Sequence, residues 1–235
     1  MITLLYSGRV CPDPVRSGLD CVLVEAPDDL TSGGSRRPGR PRGSIASTTG
    51  ATRDRITEVA IELFSTRGYH ATSVSEIGER TGLRPGALYY HIKSKEDLLW
   101  EILESYTEEA LAGARQVVAM EVSAVDKLGL LIDGHVRTIA RHRREVLIQL
   151  RDADALTAEH HEELQAMRQE VQRCWEGVLD EGYRAGDIAR SNRIVANGLL
   201  GMLNSVPQWY HPGPGQSVDT IARELRAMVI DGLTR

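Results

Sequence analysis

Apolar residues recur at helical spacing along most of the chain beyond residue 50, and no segment alternates between apolar and polar positions as a strand does. Residues 53–67 carry one apolar stripe, and Gly68 then ends that pattern. From Lys95 onward the same spacing predicts six more helices, at 95–119, 124–143, 145–156, 159–184, 192–209 and 218–233. With two short helices between these regions, the pattern predicts an all-α fold of about nine helices.

Residues 72–97 carry the most specific pattern, which is that of two short helices around a tight turn. Thr72 has a side chain suited to capping the first helix, and Gly82 can adopt the positive φ that ends it. Pro85 fits the first turn of the second helix, since its missing N–H would be unpaired there. That helix is too short to be stable alone and must pack on the preceding amphipathic helix. We therefore predict a three-helix unit at 51–97 with a DNA-reading helix-turn-helix.

The second short helix presents side chains suited to a DNA groove. Its arginine, tyrosine and histidine side chains can donate to phosphate oxygens and base edges, while Gly86 and Ala87 are small enough for close approach. Ser94 is predicted to cap the next helix, so that free N–H groups and the Lys95 ammonium form a phosphate anchor. The predicted DNA-binding residues are Arg53, Thr72, Ser73, Arg84, Pro85, Gly86, Ala87, Tyr89, Tyr90, His91 and Lys95. The alternative is a helical hairpin whose charged face is only solvated.

The same residues resemble the signature of the tetracycline-repressor (TetR/AcrR) family of bacterial transcription regulators. The family pattern is close to Gly-Leu-x-x-Gly-x-Leu-Tyr-x-His-Phe-x-Ser-Lys-x-x-Leu, and this chain follows it from Gly82 to Leu98. The resemblance implies a DNA-binding domain at 51–97 and a helical effector-binding and dimerisation domain at 98–235. It also implies a buried Leu88 and a DNA surface that includes Ala87, Tyr89, His91 and Lys95. Two departures are Ile92 for the usual Phe and Gly78 for the usual Ala.

Charge is unevenly distributed along the chain. The whole sequence has a net charge of −5, but residues 36–95 hold 11 lysine and arginine residues against 5 acidic ones. A basic end on an acidic body fits a protein that docks on DNA through one face.

Residues 1–50 lack a sustained helical or strand period and are predicted to be a disordered tail. Within it, residues 36–43 look like an AT-hook, a Gly-Arg-Pro core with flanking cations that fits the minor groove of A·T-rich DNA. Its predicted DNA contacts are Arg36, Arg37, Arg40 and Arg42. The alternative is a basic linker with only salt-sensitive, sequence-independent attraction to DNA. The sequence also leaves open whether residues 1–30 follow from a start codon assigned too far upstream.

The last two predicted helices carry apolar stripes that suit pairing with a second copy of the chain. The stripe residues assigned to a homodimer interface are Leu199, Met202, Val206, Ile221, Leu225 and Met228. Gly198 and Gly201 allow close approach, and two such helix pairs would form a four-helix bundle. The alternative is ordinary packing within one subunit. A dimer would set its DNA-binding helices about 34–36 Å apart, matching successive major grooves of a near-palindromic operator.

The predicted C-terminal domain can also hold an effector between its helices. The predicted lining residues are Leu131, His135, Ile139, Gln149, Met167 and Trp175, although ordinary core packing explains any one of them equally well. The stretch Trp209–Pro214 resembles a turn in family members that sense acyl-CoA thioesters, and this resemblance favours a CoA thioester as effector. Arg141, Arg143 and Arg144 could pair with its phosphates or form a solvated helix end.

The sequence points away from an enzyme or a metalloprotein. His160 and His161 lack the spacing that sets two imidazoles around zinc on one helical face. The three cysteines form no paired motif, and no nucleophile elbow, phosphate loop or dinucleotide fingerprint occurs. No apolar run reaches membrane-spanning length and no signal peptide is recognisable. We therefore expect a cytoplasmic regulator without cofactor or membrane partner, namely a homodimeric repressor that its ligand releases from a palindromic operator. The competing prediction is a non-specific architectural DNA-binding protein that uses the basic tail.

Overall fold

The computed structural model describes residues 45–211 and 217–234, most of which are helical. The helices are α1 (Ile45–Arg67), α2 (Val74–Thr81), α3 (Pro85–His91), α4 (Lys95–Val118), α5 (Ala124–Arg141), α6 (Arg143–Asp152), α7 (Ala158–Ala185), α8 (Arg193–Asn204), α9 (Val206–Trp209) and α10 (Val218–Leu233). A 3-10 helix, Ala153–Ala155, follows α6. Within these ranges the one bridge between extended residues joins Ile188 to Thr234.

This architecture confirms the predicted all-α fold. Nine of the α-helices in the described ranges have seven residues or more, and α9 has four. The predicted helix 192–209 is divided into α8 and α9 at Ser205. Pro207 explains the division, because proline lacks the N–H that a continuing helix needs and its ring clashes with the carbonyl four residues earlier.

Gly82 forms the turn between α2 and α3. It adopts a φ of 70°, in the left-handed region, and ends α2 as predicted. Its N–H donates to the Glu79 carbonyl at 3.1 Å, and the Leu83 N–H donates to the Gly78 carbonyl at 2.9 Å. A Cβ at Gly78 would lie 3.3 Å from Leu88 Cδ2. Gly78, which stands where the family pattern usually has alanine, therefore lies where α2 packs closely on α3.

Serine side chains cap the first turns of four of the described helices, α2, α4, α5 and α10. Ser94 caps α4 as predicted, with its Oγ accepting the Asp97 N–H at 2.9 Å. The predicted cap of α2 at Thr72 is wrong by one residue. Ser73 fills that position, because its Oγ accepts the Glu76 N–H at 3.1 Å.

Helices α1, α2 and α3 pack together as the sequence predicted. The buried side chains that join them are Ile56, Ala60, Leu63, Phe64, Ile77, Leu88 and Ile92. Because α3 has only seven residues, its helical conformation depends on this packing. Ile92 is buried, so the position where the family has Phe keeps its apolar role.

Helix α4 leads from this unit into the remaining helices. It packs on α5, α6 and α7 as well as on α1, while α10 packs along α5 and α8 packs on α7 and α5. Trp175 of α7 is among the largest fully buried side chains. The described core is continuous across residues 97 and 98, where the domain boundary stays a prediction. No helix within the described ranges combines the length and apolarity needed to cross a bilayer.

Candidate nucleic-acid interface and effector cavity

The outer face of α3 is exposed, as a DNA-contacting surface must be. Tyr89 and Tyr90 are 58% and 78% exposed, whereas Leu88 is 1% exposed. The other exposed residues at the start of α3 are Arg84, Pro85, Gly86 and Ala87. His91 is half-buried, and its ring meets that of Tyr90 edge to face at 5.3 Å. The buried position of Leu88 is confirmed, while DNA contact by the exposed residues stays a prediction.

Arg53 ties α1 to α3 and α4. Its Nε donates to Glu101 Oε1 at 3.1 Å, and its Nη1 donates to the His91 carbonyl. The last carbonyls of a helix have no partner within it, so this bond satisfies the end of α3. The sequence pattern did not indicate this contact. Arg53 therefore orients α3, whether or not it also meets DNA.

Lys95 holds the turn between α1 and α2. Its Nζ donates to the carbonyls of Tyr69 at 3.0 Å and Thr72 at 2.9 Å, and it lies 4.2 Å from the centroid of the Tyr69 ring. Burial lowers the pKa of Lys95, and nearby Asp152 partly opposes that effect. Within the described residues, the third hydrogen of this ammonium has no acceptor. Lys95 can therefore meet a phosphate through that hydrogen while the other two hold this turn.

Thr72 is a correction to the predicted DNA-binding set. Its side chain is 2% exposed, and its hydroxyl donates to the Gly68 carbonyl at 2.8 Å. It cannot reach a duplex unless the turn opens. Ser73, the next residue, is exposed at the first turn of α2, where N–H groups without helical partners can meet a phosphate.

Arg151 and Asp152, at the end of α6, join the later helices to the three-helix unit formed by α1, α2 and α3. The Asp152 carboxylate accepts the Tyr69 N–H at 3.2 Å. It also accepts Nε and Nη2 of Arg151, at 3.0 and 2.9 Å. Arg151 in turn donates to the Phe64 carbonyl near the end of α1. Sequence reasoning missed both residues, because nothing local marks which residue of a helix end will meet a chain segment more than eighty positions earlier.

A cavity of about 330 Å³, here called the main cavity, lies among α4, α5, α6, α7 and α8. The predicted lining residues His135, Ile139 and Gln149 contribute to it. Met167 does not line it, so that assignment is wrong; it lies half-buried on another part of α7. The side of the main cavity formed by α7 and α8 carries amide side chains, from Gln165, Gln169, Gln172 and Asn197, together with Arg168.

Two polar pairs project into the main cavity. The Tyr106 hydroxyl donates to Gln149 Oε1, and burial raises the pKa of Tyr106 to about 12. His135 Nε2 lies 2.9 Å from Asn204 Oδ1, and burial lowers the pKa of His135. The sequence indicated Gln149 and His135 as polar groups of the cavity. It gave no sign of Tyr106, which lies at an ordinary core position of α4.

A second cavity, of about 170 Å³ and here called the side cavity, lies among α4, α5 and α7. The predicted residues Leu131 and Trp175 line this cavity instead of the main one. His135 and Ala110 line both. The predicted ligand residues are therefore divided between two neighbouring spaces.

The three arginines predicted near CoA phosphates each have a partner within the chain. Arg141 pairs with Glu109, Arg143 Nε donates to the Tyr210 carbonyl at 3.0 Å, and Arg144 Nη1 donates to Glu58 Oε1 at 3.1 Å. The bond from Arg143 fixes the start of the turn that resembles that of acyl-CoA sensors. Residues 212–214 of that turn lie outside the described residues.

The predicted dimer residues do not share one environment. Leu199, Val206 and Ile221 are buried within the subunit, so their assignment to an interface is wrong and they belong to its core. Met202 and Leu225 are half-buried, and Met228 is exposed. Gly198 and Gly201 lie exposed on α8. A dimer contact can therefore use the glycine face of α8 but not the whole predicted stripe.

Two other sequence features have separate outcomes. The AT-hook-like segment 36–43 lies outside the described residues.

His160 stacks on Trp100, with ring centroids 4.6 Å apart, and its Nδ1 lies 2.9 Å from Glu96 Oε1. Its hydrogen bond with Glu96 raises the pKa of His160, opposed by burial. His160 thus connects α7 to the first turn of α4.

Two family models match the chain in succession. Residues 56–102 match the model for bacterial regulatory proteins of the tetR family. Residues 121–233 match the model for a tetracyclin repressor-like C-terminal domain. The first match spans α2 and α3, and the second begins just before α5 and spans the helices that follow.

Full-length relatives agree with these matches. The HTH-type transcriptional repressor KstR2 of Rhodococcus jostii is 29% identical, over 90% of this chain and 98% of that protein. A solved TetR/AcrR-family regulator from Thermobifida fusca is 30% identical, with a TM-score of 0.62 over 79% of this chain and 100% of that one. AibR, solved with isovaleryl coenzyme A and operator DNA, is 24% identical, with a TM-score of 0.67 over 75% and 97%.

Proposed function

The chain belongs to the TetR family of bacterial regulatory proteins, and from that premise we propose that it is a homodimeric repressor released from a palindromic operator by an acyl-CoA thioester. The observation that carries the proposal is one continuous helical core with an exposed α3 face at one end and a partly polar cavity among its later helices. Helix α6 contributes to the cavity and holds the α1–α2 turn. A ligand can therefore change how α3 is presented.

Specific DNA recognition rests on the exposed residues of α3. The Arg84 side chain makes no capping hydrogen bond and lies at the helix start, where a guanidinium can reach a base edge. The hydroxyls of Tyr89 and Tyr90 can donate to phosphates. We expect Arg84→Ala to change which operator is preferred, and Tyr89→Phe to weaken binding to all sequences.

The first experiment is fluorescence anisotropy on the upstream intergenic DNA of its own gene against a scrambled duplex, at about 150 mM salt. We expect at least a hundredfold preference for the native fragment, as for specific regulators. Arg190→Ala removes another exposed arginine outside the helix-turn-helix and serves as the charge-matched control. Equal binding of both duplexes would favour the architectural alternative, and equal losses from Arg84→Ala on both would refute its role in specificity.

The dimer is proposed to form through the exposed glycine face of α8. A Cβ at Gly198 would meet nothing within 4 Å, and the same is true of Gly177 on α7. Gly198→Arg should therefore leave the subunit folded but block close approach of a second copy. Sedimentation equilibrium should show a monomer for Gly198→Arg and a dimer for wild type and Gly177→Arg. If Gly198→Arg is still a dimer, the dimer forms through a surface other than the glycine face of α8.

The acyl-CoA proposal draws on the cavity, on the turn at Trp209–Pro214, and on AibR, whose solved complex holds isovaleryl coenzyme A. To control binding, the ligand must favour the non-binding state by several kcal/mol. Acyl-CoA thioesters added to the preformed operator complex should lower its anisotropy, while free CoA should not. A thioester that binds the protein and leaves operator affinity unchanged refutes the proposed control.

A further inference from the structure

The main and side cavities meet at one side chain. Both are lined by Ala110 of α4 and His135 of α5. Alanine has little bulk, so the imidazole of His135 is the larger part of the shared wall. The spaces on its two sides measure about 330 and 170 Å³.

The His135 ring is held from both sides. Toward the main cavity, its Nε2 lies 2.9 Å from Asn204 Oδ1 of α8. Toward the side cavity, its ring meets Trp175 edge to face, with centroids 5.7 Å apart at 81°. A ring with a hydrogen bond on one side and an aromatic contact on the other cannot turn without losing one of them. His135 is therefore a fixed partition.

The two cavities differ in chemistry. The main cavity has Arg168, several amides and the Tyr106–Gln149 pair on its walls. The side cavity has no charged lining residue, and most of its wall is apolar or small, including Ala114, Val117, Leu131 and Trp175. A polar head group suits the charged main cavity, whereas the side cavity, which carries Gln116 and Thr138 but no charge, can take the end of a hydrocarbon chain along its apolar wall.

We propose that His135 is a specificity-determining residue that limits the length of acyl chain the effector can carry, by closing the side cavity to the end of that chain. This inference rests on the proposed acyl-thioester effector. In the wild type, an acyl chain fills the apolar part of the main cavity and stops at the imidazole. Each methylene that gains burial tightens binding about fourfold, the equivalent of about 0.8 kcal/mol, and that gain ends where the partition begins.

The test compares saturated acyl-CoA thioesters of increasing chain length on wild type, His135→Ala and His135→Phe by isothermal titration calorimetry. His135→Ala opens the partition, so affinity should keep rising, about fourfold per methylene, beyond the length at which wild type stops gaining. His135→Phe loses the hydrogen bond to Asn204 but keeps the ring, so its length limit should match that of wild type. This pair separates the partition from a merely structural role of the hydrogen bond.

Each result has a defined consequence. If His135→Ala keeps the wild-type length limit, the partition is refuted while the acyl-thioester effector stands. If no thioester of any length binds wild type or variants, the effector and the partition both fail. Should His135→Ala not fold, as judged by circular dichroism and operator binding, His135→Ser replaces it with another small side chain, and the same shift in length limit is required.

Discussion

Replacing Asp152 with alanine should separate the end of α6 from the α1–α2 turn. The Asp152 side chain is 6% exposed and accepts the buried Tyr69 N–H at 3.2 Å. A buried N–H left without an acceptor costs about 1–3 kcal/mol. The lost ion pair with Arg151 adds under about 1 kcal/mol, because the Arg151 side chain is 45% exposed and its charge is screened by solvent. We expect a total loss of about 1–4 kcal/mol.

Urea unfolding followed by circular dichroism measures this loss as a lower midpoint at constant slope. Asp152→Asn retains an oxygen that can accept the Tyr69 N–H and should lose less than half as much stability. Asp154→Ala removes an exposed carboxylate two residues away and should leave the midpoint unchanged. Faster hydrogen exchange at the Tyr69 amide should accompany the loss in Asp152→Ala. A midpoint equal to that of wild type, or equal losses for the alanine and asparagine variants, would refute this assignment of the stability to the buried acceptor.

Two further predictions concern Gly82, in the turn between α2 and α3, and the hydrogen bonds of His142 to two carboxylates. Gly82→Ala should lower stability by about 1 kcal/mol in thermal melts, because the φ of 70° strains an L side chain although the space around it is open, and Gly82→Asn should cost less. His142 bridges Glu109 at 2.9 Å and Glu145 at 3.1 Å, and its hydrogen bonds to these carboxylates raise its pKa above the ordinary 6.5 despite burial. The stabilisation by these bonds is complete below pH 6.5 and is lost as the pH rises through the raised pKa of His142 in the folded protein. The free energy of unfolding of wild type should therefore exceed that of His142→Gln by less and less over that pH range. A difference that stays constant with pH contradicts the bridge.

The features that follow from local chemistry could be predicted from the sequence. Gly82 ends α2 because few other residues tolerate a positive φ, and Ser94 caps α4 because its hydroxyl reaches the N–H three residues on. Leu88 is buried because it is the large apolar residue of a short helix that must pack. Each of these depends on a few neighbouring residues, which the sequence displays directly.

Features set by the packing of distant helices could not be predicted in the same way. Periodicity shows that Leu199 and Ile221 lie on apolar faces, but not whether such a face meets its own subunit or a partner, and both lie in the core. Met167 has the same ambiguity and lies away from the main cavity. The bond between Tyr69 and Asp152 spans 83 residues, so its partners are fixed only once α6 has packed near α1.

The two cations Arg53 and Lys95 show why loss of DNA binding alone does not establish a phosphate contact. Arg53 bonds to the His91 carbonyl at the end of α3, and Lys95 bonds to two carbonyls of the α1–α2 turn. Arg53→Ala would therefore weaken binding by displacing α3, and Lys95→Ala by loosening the α1–α2 turn, even if no phosphate were touched. Salt dependence separates the causes, because each lost phosphate contact lowers the slope of log affinity against log salt by about 0.9. Lys95→Ala with a lower slope supports the phosphate anchor, whereas weaker binding at an unchanged slope assigns Lys95 to holding the turn.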